Sequence, residues 1–245
     1  MSLIIKTKYS PNFDLKKRKN KKIDFLIFHY TGMRNEKSAI KKLTSYKSKV
    51  SCHYFIKKNG EILNLVPDLY VAWHAGTSSW RNYKSLNKNS IGIEISNSGH
   101  NFNYVNFTKN QIKSVYKLSK HLIKKYNIKN KNILGHSDIA PERKKDPGEK
   151  FPWKFLSKKK IGYWHDLNRN VLLRNRYLII DKYKQNKFLE NIHKIGYPKN
   201  NLIKKNKYIK ILSVAFQRRF RQDLVNGIID IECLKISENL LKKMN

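Results

Sequence analysis

Residues 132–148, NILGHSDIAPERKKDPG, place an imidazole, an ammonium and a carboxylate in one loop. An aliphatic run leads to His136, and a loop punctuated by proline and glycine brings Lys144 and Asp146 back beside it. This combination suits a hydrolytic zinc site, in which an open metal position holds the attacking water. The local sequence does not decide between Lys144 and Lys145, and an Asp before Pro-Gly is also ordinary turn chemistry.

Three predicted strands end in polar side chains that a hydrophobic core would exclude, namely His29, Glu94 and His136. If the strands share a sheet, their carboxyl ends place these groups in one cleft. Each residue also has a plain structural explanation. A histidine at a strand end is more often a hydrogen-bonded structural residue, and Glu94 alternates with Ile93 and Ile95 as a solvent-facing residue would. Only their joint occurrence favours a site.

The chemistry of such a site divides among five side chains. His29, His136 and Asp146 would bind one Zn²⁺ ion, keeping the fourth position open and lowering the pKa of bound water towards about 7. Glu94 would accept the proton of this water and pass it to the leaving amine. Lys144 would stabilise the oxyanion of the tetrahedral intermediate.

Strands and helices alternate in the part of the chain that would position these groups. Strands are predicted over residues 23–29, 53–58, 61–66, 90–96 and 133–135, and helices over residues 36–46 and 108–126. Asn59-Gly60 is a strong hairpin signal, and Thr108 with Gln111 predicts a capping box. This order predicts an α/β fold with a mixed central β-sheet flanked by helices.

The character of the sequence changes after Trp153. Residues 157–185 show weak periodicity, and two helical patterns follow, one from Tyr208 to Phe220 and one with an N-cap near Asp230. We therefore expect a small C-terminal helical domain. The predicted division is a catalytic domain over residues 1–165, a linker over 166–185 and the helical domain over 186–245.

The composition indicates a globular chain with a large positive charge. Hydrophobic residues make up 40% of its 245 residues, and 53 Lys and Arg against 17 Asp and Glu give a net charge of +36. This charge favours an anionic partner, such as nucleic acid, a membrane surface or an acidic cell-wall polymer. The lysines are nevertheless scattered among Asn and Ile, as an AT-rich genome would produce, so we expect no specific nucleic-acid partner.

The sequence also bears on the cellular compartment. Cys52 and Cys233 lie far apart, which favours free thiols in a reducing environment. No apolar run is long enough for a signal peptide or a membrane span. We expect a cytoplasmic monomer, with the periplasm as the alternative if an export signal has been removed.

Five motifs occur in an informative order. They are Phe28-His29-Tyr30-Thr31-Gly32, Val50-Ser51-Cys52-His53-Tyr54, Ala72-Trp73-His74-Ala75-Gly76, Ser90-Ile91-Gly92-Ile93-Glu94 and the loop over residues 135–148. Over about residues 9–155 the chain resembles the type 2, zinc-dependent N-acetylmuramoyl-L-alanine amidases, the AmpD/AmiD group related to peptidoglycan-recognition proteins. The resemblance implies cleavage between N-acetylmuramic acid and L-alanine in muropeptides, in 1,6-anhydro forms released during cell-wall recycling.

The resemblance also assigns roles to residues. The metal ligands of the family fall on His29, His136 and Asp146, and its catalytic pair falls on Glu94 and Lys144.

Outside this set, the resemblance predicts further contacts. His53 and His74 are expected either to contact substrate in the cleft or to support the metal ligands from behind. Trp73 is expected to contact substrate as part of a sugar groove, with a buried packing role as the alternative, and Cys52 is expected to be a packing residue. The tail more weakly resembles helical peptidoglycan-binding domains, with glycan binding and a purely structural role both left open. A non-catalytic peptidoglycan-recognition module is the alternative function.

Overall fold

The structure is a computed structural model that describes residues 3–244. The first two residues of the predicted catalytic domain and the last residue of the predicted helical domain lie outside the described residues. The strands are β1 (Ile5–Thr7), β2 (Phe13–Asp14), β3 (Phe25–Tyr30), β4 (Tyr54–Ile56), β5 (Ile62–Asn64), β6 (Val71–Ala72), β7 (Ser79–Trp80), β8 (Tyr83–Lys84), β9 (Ser90–Ile95) and β10 (Ile133–Gly135). The helices are α1 (Glu36–Leu43), α2 (Lys109–Tyr126), α3 (His136–Ile139), α4 (Trp153–Lys158), α5 (Arg169–Asn175), α6 (Lys182–Ile195), α7 (Lys205–Phe220) and α8 (Ile231–Lys242).

A six-stranded sheet with the order β1-β5-β4-β9-β3-β10 forms the centre of the fold. Strands β4 and β5 pair antiparallel, and every other neighbouring pair in this sheet is parallel. The prediction of a mixed sheet flanked by helices is therefore confirmed. The hairpin predicted at Asn59-Gly60 is confirmed as well, with Gly60 at a positive φ of 89° that suits a tight turn.

The sheet separates two hydrophobic cores, because alternate residues of a strand face opposite sides. In β3, Phe25 and Ile27 belong to one core, and Leu26 and Phe28 belong to the other. The first core continues into α6, α7 and α8, and the second contains the apolar faces of α2 and α4. The C-terminal helices thus share a core with one face of the sheet.

Local signals position the helices that frame the site. The predicted capping box is present, since the Thr108 hydroxyl accepts from the Gln111 backbone N–H at 3.1 Å and the Gln111 side chain accepts from the Thr108 backbone N–H at 2.9 Å. Helix α1 begins at an Asn35 N-cap, and its Ala39 and Leu43 pack in a third, smaller core. Helix α1 ends three residues before its predicted end.

The region predicted as a linker contains α5 and a close contact with the tail. The Arg176 guanidinium donates to the Glu232 carboxylate at 2.7 Å, and Ile179 forms a bridge with Asp230. Asp230 caps α8 as predicted, whereas α6 adds a helix to the two predicted patterns. The division at residues 165 and 185 remains a prediction.

Two further expectations concern cysteines and membranes. Cys52 and Cys233 are both free and buried, as expected. None of the helices within residues 3–244 is long and apolar enough to cross a bilayer.

The shared core predicts how the chain unfolds. Phe216→Ala in α7 removes a buried ring and should lower the free energy of unfolding by about 3–5 kcal/mol. Leu118→Ala in α2 is a large-to-small change in the opposite core and should lower the free energy of unfolding by about 2–5 kcal/mol. Urea titration followed by circular dichroism should show one transition for both variants. Two separate transitions, with Phe216→Ala shifting only one, would contradict a cooperative unit.

Candidate metal centre and catalytic cavity

The parallel register of the sheet brings the predicted polar strand ends together. His29 of β3 lies opposite Glu94 of β9, and Phe28 lies opposite Gly135 of β10, so that His136 follows directly at the same edge. The three predicted strand ends therefore lie together at one edge of the sheet.

His29, His136 and Asp146 form a compact cluster of three buried donors. The Nδ1 atoms of the two histidines lie 2.9 Å apart, and each lies 3.0 Å from the Asp146 Oδ2 atom. Ligands of a tetrahedral zinc ion with bonds near 2.0 Å are about 3.3 Å apart. Two imidazole nitrogens and one carboxylate oxygen at this spacing therefore fit a single metal ion.

Contacts on the far side of each imidazole leave Nδ1 facing the cluster. The His136 Nε2–H donates to the Ala75 carbonyl at 3.0 Å, and His29 Nε2 lies 3.0 Å from His74 Nδ1. Such outer hydrogen bonds fix the tautomer and orientation of a ligating histidine. The ring of His74 packs directly over Gly92, where any side chain would collide with it.

The electrostatics of the cluster suit metal ligation. Burial, reinforced by His136, lowers the pKa of His29 to about 4, so that its imidazole is neutral at physiological pH. Burial acts to raise the pKa of Asp146, but His136 and His29 outweigh it and hold that pKa well below its usual range. A neutral imidazole and an ionised carboxylate are the forms that bind metal.

Glu94 lies beside this cluster with one carboxylate oxygen buried and with a perturbed pKa. Its Oε2 atom is buried and has no hydrogen-bond partner among residues 3–244. Burial raises the pKa of Glu94 well above its ordinary value, with a further increase from Asp146 and opposing effects of Lys144 and Lys42. A carboxylate whose pKa is raised in this way is a better base at neutral pH.

His136, Asp146 and Glu94 line a cavity of about 210 Å³. His29 is fully buried beside His136 and Asp146. Lys144 lies on its wall and is half-buried, whereas Lys145 is exposed and is not part of the wall. The two lysines, which the local sequence of the loop left equivalent, therefore occupy different positions in the structure.

The residues predicted to contact substrate occupy two different positions. Trp73 and His74 line the cavity. His53 lies behind His74, fully buried, where its Nδ1 accepts from the Gly92 backbone N–H at 3.0 Å. His53 is therefore placed to support His74, and a direct substrate contact for it remains a prediction without a position on the wall.

A buried network that the sequence did not predict ties the C-terminal helices to the metal site. Asp138, two residues after His136, accepts from the Gly135 backbone N–H at 2.7 Å and from the Tyr197 hydroxyl at 2.8 Å. It also forms a buried ion pair with Arg219 of α7. These contacts hold the turn that presents His136.

The sequence contains a signal for this network. Arg219 occupies a position on the apolar face of α7 that also carries Leu212 and Phe216, where a charge needs a buried partner. Its guanidinium lies 4.3 Å from the ring centroid of Trp153 and donates to the Ile133 carbonyl at 2.8 Å.

Comparison with known proteins identifies a matching family and similar individual proteins. The family model described as N-acetylmuramoyl-L-alanine amidase matches residues 19–149. The chain is 37% identical to the amidase AmiD of Escherichia coli K12 over 237 residues, 91% of this chain and 83% of AmiD.

Solved structures of similar proteins superpose on this chain. A complex of E. coli AmiD with anhydro-N-acetylmuramic acid-L-Ala-D-γ-Glu-L-Lys superposes with a TM-score of 0.81 at 36% identity, covering 91% of this chain and 90% of that one. AmpDH3 of Pseudomonas aeruginosa in complex with anhydromuramic pentapeptide gives 0.79 at 31% identity, covering 94% of both chains.

The Asp138 network predicts a coupling between the tail and the metal site. Arg219→Met leaves Asp138 buried without its cation, which should cost about 3–5 kcal/mol of unfolding free energy and weaken metal binding at His136. Arg218→Met, at the neighbouring half-buried position, should change both quantities much less. Urea unfolding and competition with a chromogenic chelator measure the two effects. Equal losses in both variants would argue against the network.

The raised pKa of Glu94 predicts a pH-dependent stability difference. A carboxyl group whose pKa is higher in the folded state destabilises the fold as pH rises from its unfolded value, near 4.5, through the folded value. In metal-free protein, Glu94→Gln should therefore gain stability over wild type between pH 4.5 and neutrality. Thermal melts across this range measure the gap, and a difference that does not change with pH would contradict the burial argument.

Proposed function

This chain belongs to the N-acetylmuramoyl-L-alanine amidase family, and we propose that His29, His136 and Asp146 hold one catalytic zinc ion in it. The chain is an amidase that hydrolyses the bond between N-acetylmuramic acid and L-alanine in peptidoglycan fragments. The observation that carries the zinc assignment is the triangle of three buried N and O donors with sides of 2.9, 3.0 and 3.0 Å. Imidazole and carboxylate together suit zinc.

The proposed substrates are 1,6-anhydro muropeptides. The similar structures of AmiD and AmpDH3 contain anhydromuramyl peptides. The cavity of this chain offers an aromatic wall at Trp73 for a sugar and cations for an acidic peptide. This substrate class corresponds to fragments processed in cell-wall turnover and recycling.

The reaction would proceed as follows in this cavity. A bound zinc ion supplies Lewis acidity to the scissile carbonyl and to the attacking water. Glu94 accepts the proton of that water and then donates it to the leaving amino group of L-alanine. The Lys144 ammonium stabilises the negative charge that develops on the carbonyl oxygen. His74 keeps His29 oriented during both steps.

The reaction can be tested with anhydro-N-acetylmuramyl-L-Ala-D-γ-Glu-L-Lys and mass spectrometry of the products. We expect free tripeptide from the zinc-loaded enzyme, no tripeptide after chelation, and recovery when Zn²⁺ is restored. Metal analysis should give one zinc per chain. Binding of the muropeptide without any product would favour the alternative of a recognition module.

Three variants test the residue roles, and two of them form a matched lysine pair. Glu94→Gln should lower kcat by about 10²–10⁴-fold, the usual contribution of general acid–base catalysis. Lys144→Met should lower kcat by about 10²–10³-fold, as loss of an oxyanion donor does, whereas Lys145→Met should remain active. Similar activities of the two lysine variants would contradict the role of Lys144.

The assembly state and compartment remain proposals. We infer a monomer in the cytoplasm, with the periplasm as the alternative compartment. Light scattering of the purified protein and fractionation of the source cells test these two points.

A further inference from the structure

A lysine outside the predicted catalytic set lies on the wall of the catalytic cavity. Lys42 belongs to α1, whose Ala39, Lys42 and Leu43 all line this cavity. The spacing i, i+3, i+4 places these three residues on one face of the helix. Lys41 and Lys42 are both exposed, but only Lys42 is part of the cavity wall. Helix α1 thus presents one ammonium group to the substrate site.

The charges around the cavity leave Lys42 available to an anion. The Asp146 carboxylate contacts two imidazoles. The positive charge of Lys144 lowers the pKa of both His29 and Glu94. Lys42 acts on Glu94 but forms no ion pair within residues 3–244. With a divalent cation at the cluster, the walls carry an excess of positive charge that an acidic ligand would neutralise.

The proposed substrates carry an anionic group close to the scissile carbonyl. Because D-glutamate is joined through its γ-carboxyl group, its α-carboxylate is free. This carboxylate is two residues away from the scissile carbonyl, at most roughly 7 Å along an extended chain. Lys42 lines the same cavity as His136 and Asp146, and its flexible four-carbon stem lets its ammonium group reach a charge that lies beside the metal centre.

We propose that Lys42 binds the free α-carboxylate of the D-γ-glutamyl residue and makes the enzyme prefer acidic stem peptides over α-amidated ones. The inference rests on the proposed function. It assigns Lys42 to substrate recognition and leaves the proton transfers to Glu94 and the oxyanion to Lys144. In a chain with 53 Lys and Arg residues, most lysines are simply solvated, so the position of Lys42 on the wall is what distinguishes it from Lys41.

Two substrates that differ in one group test this assignment. They are anhydro-N-acetylmuramyl-L-Ala-D-γ-Glu-L-Lys and its D-isoglutamine counterpart, in which a carboxamide replaces the α-carboxylate. The zinc-loaded wild type should favour the acidic substrate about fivefold to tenfold in kcat/KM, mainly through KM. Lys42→Gln should lose this preference, measured as the ratio of the two kcat/KM values, because any effect of Lys42 on the pKa of Glu94 reaches both substrates alike. Lys42→Arg should retain most of the preference, and Lys41→Gln should retain all of it.

The possible outcomes distinguish a failure of the proposed amidase function from a failure of carboxylate recognition by Lys42. If wild type cleaves neither substrate, the proposed function fails. If wild type cleaves both equally, or if Lys42→Gln loses activity equally on both, amidase activity stands and recognition by Lys42 is overturned. As a second readout, the preference of wild type should shrink as salt is raised from 50 to 500 mM, because screening weakens an exposed charge pair.

Discussion

The parallel pairing of β9, β3 and β10 is the constraint on which the site depends. It sets His29 opposite Glu94 and brings His136 to the same edge of the sheet. A slip of one residue in either pairing would turn a functional side chain to the opposite face. The small residues Ser90 and Gly92 precede Glu94 on its own face of β9 and leave room there for the His74 ring, which packs over Gly92 and contacts the Ser90 hydroxyl.

The buried polar side chains of the site are positioned by contacts from segments outside the sheet. His74 and the Ala75 carbonyl orient the two histidines from a loop. The C-terminal helices add the ion pair of Arg219 with Asp138 beneath the turn of His136. A buried ion pair contributes little net stability, but losing one partner is costly, so its role is best understood as fixing a geometry. The tail is thereby part of the framework of the catalytic region.

The same burial that prepares Glu94 for chemistry works against the fold. One carboxylate oxygen of Glu94 has no hydrogen-bond partner within residues 3–244, and burial raises the pKa of Glu94 and destabilises its charged form. Natural sites often carry such local costs where activity requires them. The lysines on the cavity wall moderate the cost and add a positive field that suits acidic peptides.

The sequence by itself determined the mixed sheet, because the positions of its strands follow from hydrophobic periodicity. It also predicted which side chains would cluster, from polar residues at strand ends, from the loop after His136 and from the order of the motifs. It left Lys144 and Lys145 equivalent within their loop, where only the family resemblance favoured Lys144, and the folded path of that loop turns Lys144 toward the cavity. It could not place His53 behind His74 or join Arg219 to Asp138, because these contacts link segments far apart in the chain. Long-range packing, which local patterns do not encode, decided them.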